Sequence, residues 1–147
     1  MKNVYDELYE NKQLYIINDS VSDFDIGNLR IAIVINLYYL DMIPRFLTYI
    51  KQIPSEIDCH IYSSNSQIIT LMNNKLEQKQ NCFIHKKENR GRDISALFVE
   101  FRRIAKEYEY FCFLHDKKEK GEYVKEDVSF WNENIWNNLI KNSQYIN

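Results

Sequence analysis

The 147-residue chain is short of the residues that bend and cross-link a backbone, with three glycines, two prolines and three cysteines. It has no G-x-x-x-x-G-K-[ST] phosphate loop, no G-x-G-x-x-G turn and no G-x-S-x-G nucleophile elbow, so the commonest nucleotide-binding and hydrolase signatures are excluded. The cysteines, Cys59, Cys82 and Cys112, are odd in number and each lies in an apolar run. That pattern argues against a disulfide framework and for buried thiols in a reducing compartment. No apolar run approaches the ~18 residues that span a bilayer. The opening MKNVYDELYENK is too acidic and polar for a signal peptide. A formal net charge of −2 supplies no basic field, which argues against a nucleic-acid partner. The expectation is a cytoplasmic protein with no transmembrane segment, able to work as a peripheral protein at the inner face of the cytoplasmic membrane.

What the chain does have is core-forming residues, 45% hydrophobic and 14% aromatic, enough for one domain without staples. Residues 1–29 read as an N-terminal extension, a weak helix over 1–12 followed by a loop. RIAIVINL (30–37) is β-branched and almost continuously apolar, as in a strand buried on both faces. A helix follows over 38–53, with Leu40, Ile43, Phe46, Leu47 and Ile50 on one face and Pro44 in its tolerant early turns. A second strand is expected at 57–63 and a helix at 65–80 with Asn65 or Ser66 as cap. Then come a third strand (81–87), a helix (94–108) with Leu97, Phe98, Phe101 and Ile104 on one face, and a fourth strand (109–118). A polar loop (118–127) leads to a last helix (128–140) with Phe130, Trp131, Ile135, Leu139 and Ile140 as its apolar side. Strands alternating with helices at this spacing predict an α/β fold with a mainly parallel sheet. Ligands in such sheets lie beyond the carboxyl ends of the strands.

Four segments fall at that edge, 36–39, 62–65, 89–93 and 116–118, and the last two are charged. NRGRD (89–93) joins the third strand to a helix. Gly91 can take a positive φ or admit a ligand to the backbone, and Asp93 can cap the helix. Arg90 and Arg92 can fork onto phosphate or carboxylate. An anion-binding loop and an ordinary turn with solvated arginines stand as equal readings of these residues. HDKK (115–118) ends the fourth strand, where Asp116 can hold a ribose hydroxyl or a divalent metal. The pairs Cys82-x-x-His85 and Cys112-x-x-His115 suggest zinc by spacing, but residues three apart on a strand point to opposite faces. Tyr38 and Tyr39 lie just past the first strand, where a base could stack. Of Trp131 and Trp136, five residues apart, one is expected in the core and the other toward a partner or solvent.

Taken together, IAIVINLYYLDMIPRFLTYI (31–50), NRGRDI (89–94) and FLHDKKE (113–119) resemble the rhamnan synthesis F family of bacterial polysaccharide-assembly proteins, over roughly residues 30 to 140. The resemblance implies a GT-A-like glycosyltransferase fold, a Rossmann-like α/β/α sandwich. It implies a nucleotide-sugar ligand, dTDP-rhamnose among the candidates, and a place in rhamnan or lipopolysaccharide O-antigen biosynthesis. By position it draws Asn36, Tyr38, Asn89, Arg90, Gly91, Arg92, Asp93, His115, Asp116 and Lys117 into nucleotide-sugar binding. His115-Asp116 stands where that class carries Asp-x-Asp, so Asp116 is the metal candidate and Mg²⁺ or Mn²⁺ the cofactor. No catalytic residue is assigned. The other partner is a glycan acceptor or another polysaccharide-assembly protein. By this resemblance residues 30–147 are expected to form a GT-A-like domain incomplete at its C-terminus, because such enzymes keep the acceptor site and base in a second half. The chain alone is therefore expected not to complete sugar transfer. The alternatives are a non-catalytic domain of the same fold that binds sugar nucleotide or a partner and regulates glycan assembly, and an unrelated α/β protein on the same scaffold.

Overall fold

The computed structural model describes residues 28–118 and 125–141. The expected N-terminal extension lies outside the described residues except for 28 and 29, as do 119–124 of the expected polar loop. The described chain is an α/β sandwich built on four parallel strands: β1 (Ile31–Asn36), β2 (Asp58–Ser63), β3 (Cys82–Lys86) and β4 (Tyr110–His115), in the order β3-β2-β1-β4. β1 is central, and its IAIVIN sequence suits it because every residue after Ile31 is buried. Ile33 and Ile35 face one layer, Ala32 and Val34 the other.

The first layer holds three regular helices, α1 (Ile43–Ile50), α2 (Ser66–Leu76) and α3 (Lys125–Trp136). α1 has Pro44 in its opening positions and buries Ile43, Phe46, Leu47 and Ile50, as its spacing predicts. A short 3₁₀ turn (Leu40–Met42) precedes it. α2 is capped by Asn65, whose side chain accepts from the Gln67 amide at 3.0 Å. α3 buries Val128, Asn132, Trp136 and Ile140, a strict four-residue stripe that carries on into a wider final turn, Asn137–Lys141. The expected apolar side of this helix was partly wrong. Ile140 is buried and Ile135 packs against the core, but Phe130 is 66% and Leu139 43% exposed. Of the two tryptophans, Trp136 is the core one, stacked on Phe46 with ring centroids 4.3 Å apart.

The second layer is thinner. It is the connection from β3 to β4, expected as one amphipathic helix over 94–108. It is instead a wide π-type turn (Ala96–Glu100) followed by two 3₁₀ turns (Phe101–Arg103 and Ala105–Glu107). The Phe101 amide reaches back five residues to the Ala96 carbonyl. The buried pair is therefore Ala96 and Phe101, at the π period, and Phe98 is 61% exposed. Under this cover lies a polar chain. Tyr108 donates its hydroxyl to Asp58 at 2.8 Å, so the proton between Tyr108 and His60 Nε2, 2.7 Å apart, belongs to the histidine. His60 Nδ1 then accepts from His85 Nε2 at 3.1 Å. Burial, helped by His85, holds His60 at a pKa of about 4, and burial lowers His85 as well. Arg30 closes the chain on Asp58 at 3.7 Å. The cysteines are free thiols. Cys82 packs on the aliphatic layer and its expected zinc mate His85 on the polar one, as alternation along a strand requires.

Topology fixes where a ligand can sit. From β1 the chain steps outward to β2 and β3 through α1 and α2 on one face, then returns to place β4 on the other side of β1. A right-handed connection running the opposite way must cross the opposite face, and residues 94–107 do so, packing on Ala32, Val34 and Tyr62. The strand order reverses between β1 and β4, the two strands whose carboxyl ends lie side by side. A crevice lies beyond those ends, at the switch point of an open parallel sheet. Among the described residues no helix is long and apolar enough to cross a membrane.

Candidate functional site at the switch point

At the carboxyl ends of β1 and β4 is a crevice of about 630 Å³. β1 supplies Asn36 and then Tyr38 and Tyr39; β4 supplies His115 and then Asp116, Lys117 and Lys118. The loop after β3 adds Lys87, Asn89, Arg92 and Asp93, and α3 adds Val128 and Trp131. Of the residues expected at the site, eight converge here: Asn36, Tyr38, Asn89, Arg92, Asp93, His115, Asp116 and Lys117. Arg90 and Gly91 do not line the crevice. Gly91 shapes the turn instead.

Asp116 is bound into the backbone. Its amide donates to the Asn36 carbonyl at 3.1 Å, continuing the β1–β4 pairing one residue past the strand. Its Oδ2 accepts from the amides of Tyr38 at 2.8 Å and Tyr39 at 2.7 Å, pinning the turn that leaves β1. The other oxygen, Oδ1, is buried with no partner, and so is Asn36 Oδ1. Burial pushes the Asp116 carboxyl up to about 6, against the pull of the Tyr39 and Tyr38 amides. Two orphaned buried acceptors beside one cavity are costly unless something donates to them.

The NRGRD loop is a tight left-handed turn. Gly91 has φ +69°, and a Cβ there would stand 2.9 Å from Ser95 Cβ. Arg92 has φ +52°, a conformation that a side-chain-bearing residue adopts only at some cost. Its carbonyl is held from two sides, by Lys87 Nζ at 2.9 Å and Ser95 Oγ at 2.8 Å. Lys87 is 7% exposed, and its ammonium also donates to Ser95 Oγ at 3.0 Å and the Glu88 carbonyl at 3.3 Å. Burial lowers its pKa, opposed by the charges of Asp93 and Glu100. The Asp93 side chain makes no helix cap; its Oδ2 lies 3.5 Å from His115 Nε2, with His115 Nδ1 held at 3.0 Å by the Asp116 carbonyl. Trp131 walls the crevice, 5.5 Å from the His115 ring, with the Lys117 ammonium over its face at 5.0 Å. Asn132 donates to the Lys117 carbonyl at 2.8 Å and so ties α3 to this edge.

Sequence reasoning missed Lys87 and Val128 as lining residues and left Trp131 without a place. Lys87 follows β3 directly, so the strand-end rule that found HDKK could have found it. Trp131 needed the α3 stripe, which an apolar count does not reveal.

The metal expected at Asp116 can be tested on the donors present. Divalent cations of this kind take several oxygen ligands. Asp116 has one oxygen committed to two amides and the other buried, and Asp93 is engaged with His115. Among the described residues no three His, Cys, Asp or Glu side chains come together to hold a cation. This donor set does not fit a protein-held metal.

No curated protein and no solved structure matches the chain. A family model does: that of rhamnan synthesis protein F, over residues 3–147, essentially the whole length. With the NRGRD and HDKK segments meeting at one crevice of an α/β sandwich, the chain belongs to the rhamnan synthesis protein F family, and that membership implies a role in rhamnan polysaccharide synthesis.

Proposed function

We propose that the crevice binds a nucleotide sugar, with dTDP-rhamnose the first candidate, and that the chain is the donor-binding part of a glycosyltransferase-type domain. The observation that carries this reading is the pairing of two complementary features in one cavity. The Arg92 guanidinium has no carboxylate partner among the described residues, which suits a diphosphate. The orphaned Oδ1 atoms of Asn36 and Asp116 suit the hydroxyls of a ribose or sugar. Tyr38 and Trp131 offer aromatic faces for a base or sugar ring. Family membership supplies the polysaccharide context.

A second reading, a domain that binds the sugar nucleotide without transferring the sugar, is favoured by one observation. An inverting transferase needs a carboxylate or histidine that is free to take the acceptor proton. Of the groups lining the crevice, Asp116 is held by the turn, and His115 has Nδ1 on the Asp116 carbonyl and Nε2 3.5 Å from Asp93, so each already has a partner. A glycan acceptor or a further assembly protein would then complete the site.

The test is isothermal titration calorimetry with dTDP-rhamnose, dTDP and the corresponding uridine compounds, followed by assay of nucleotide release with rhamnan acceptors. Saturable binding of a sugar nucleotide that beats its free sugar supports the reading. Binding of none of them rejects it. Acceptor-dependent release separates the transferase from the binding domain.

A further inference from the structure

We propose that the crevice recognises the diphosphate without a divalent cation, using the Arg92 guanidinium held in position by the buried Lys87 ammonium. This inference rests on the nucleotide-sugar reading above and adds how the phosphate charge is met.

Three observations lead to it. The first is the donor set. The residue standing at the expected metal position is a turn clamp, with Oδ2 shared between two backbone amides and Oδ1 buried at the floor. With Oδ2 spent on the amides, Asp116 offers a cation at most one oxygen, where such ions take about six ligands. The second is charge. Lys118 is paired with Asp41, but Arg92 lines the crevice with no carboxylate partner among the described residues, and the Lys87 ammonium lies buried behind the same loop with only neutral acceptors. These two positive charges oppose an added divalent cation beside them and attract a diphosphate. The third is how Arg92 is presented. Two successive left-handed residues, Gly91 and Arg92, turn the chain, and both Lys87 Nζ and Ser95 Oγ bond the Arg92 carbonyl. All three Lys87 protons have acceptors within the protein, so Lys87 acts as a positioning residue, adding positive field and fixing the backbone from which the guanidinium extends. A strained non-glycine residue stabilised from two sides is what a fold keeps when the side chain there has work to do.

A metal-dependent site spreads phosphate charge over the ion. Here the planar guanidinium fork does so directly, with two parallel hydrogen bonds to phosphate oxygens. Replacing it by glycine should relieve the left-handed strain and remove the fork together. A merely structural arginine would not show that combination.

The experiment is calorimetric titration of the parent, Arg92→Gly and Arg92→Lys with dTDP, in EDTA and again in Mg²⁺, with melting curves for each protein. For the parent the dissociation constant should agree within about threefold between the two buffers. Arg92→Gly should bind about 10–100-fold more weakly in both, as expected for loss of a charge-assisted contact, while melting no lower than the parent. Arg92→Lys, which keeps the charge and loses the fork, should fall between them. Binding that EDTA abolishes and Mg²⁺ restores would overturn the inference while leaving the nucleotide reading intact. Parent-like affinity in Arg92→Gly would overturn it as well. No binding of dTDP by the parent in either buffer would remove the nucleotide reading and this inference with it.

Discussion

The two faces of the sheet are built on different physics. One is dry and aliphatic: Ile33, Ile35, Cys59 and Ile61 meet Phe46, Leu47, Met72 and Trp136 from three regular helices. The other carries Ala32, Val34 and Tyr62 beside the His85–His60–Tyr108–Asp58 chain, under a connection of π and 3₁₀ turns. The first face is held by non-directional packing, which grows with buried area. The second depends on polar groups being satisfied in one orientation, and it loses more when a single partner is removed. The NRGRD loop belongs to the second face, because it opens that face's cover. The crevice is therefore framed by a firm wall from the ends of β1 and β4 and a more adjustable one from the β3–β4 connection. Regions held by few buried apolar contacts are the ones that open most easily.

The largest expected effect comes from breaking the dry face. Phe46→Ala removes the ring stacked on Trp136 and should cost about 3–5 kcal/mol in denaturant unfolding, because the helices around it can collapse only partly. A loss comparable to that of a surface substitution would mean that the aliphatic face is not the main core.

Acid sharpens the contrast. His60 has its pKa lowered from 6.5 to about 4, so its folded form stays neutral while the unfolded chain protonates. Its contribution is present above the unfolded value and is lost as pH falls from about 6.5 toward 4, to the extent of about 3 kcal/mol. Asp116 runs the other way. Its pKa is raised from 3.8 to about 6, so stability is greatest below the unfolded value and is lost as pH rises through the folded one, again by about 3 kcal/mol. The two slopes largely cancel between pH 4 and 6 in the parent. Asp116→Asn keeps an acceptor for the Tyr38 and Tyr39 amides and removes the buried charge. Its unfolding free energy should therefore rise steeply with pH over that range, from His60 with a further contribution from His85. A flat profile in Asp116→Asn would show that His60 is not held neutral.

The parts of this architecture that were legible in the sequence are those set by local pattern. The two-face burial of β1 could be read from an unbroken apolar run, and α1 from a clean 3.6-residue stripe with Pro44 at its start. Residues 94–108 fit that period equally well on paper. Only the long-range demand that Ala96 and Phe101 both meet the sheet selects the wider turn and turns Phe98 outward. α3 misled because hydrophobicity favoured Phe130 and Leu139, whereas the inner stripe includes Asn132, buried to reach the Lys117 carbonyl. At the site, arginine, glycine and aspartate announced themselves by type at a strand end. The job of Asp116 did not, because its amide partners lie 77 and 78 residues away in sequence. The clamp of Lys87 on the Arg92 carbonyl was equally hidden, since nothing local requires Arg92 to be left-handed.

Smaller effects separate the two parts of the second face. Tyr108→Phe leaves the His60 Nε2 proton and the Asp58 carboxylate without the shared hydroxyl and should cost about 1–3 kcal/mol. Gly91→Ala places a Cβ against Ser95 at φ +69° and should cost about 1–2 kcal/mol, with the larger consequence in the crevice. Chemical denaturation of both measures the order. Gly91→Ala more damaging to the fold than Tyr108→Phe would place the loop inside the core rather than on its cover.

The central claim is that a sugar nucleotide sits at the reversal between β1 and β4. Titrating the ¹⁵N-labelled protein with dTDP-rhamnose and following amide shifts tests it most directly. The account predicts saturable shifts concentrated at Tyr38, Tyr39, Arg92 and Asp116, whose amides or side chains frame the crevice, with the distant start of β2 near Asp58 unmoved. Saturable shifts centred elsewhere, or none at the highest ligand concentration, would contradict it.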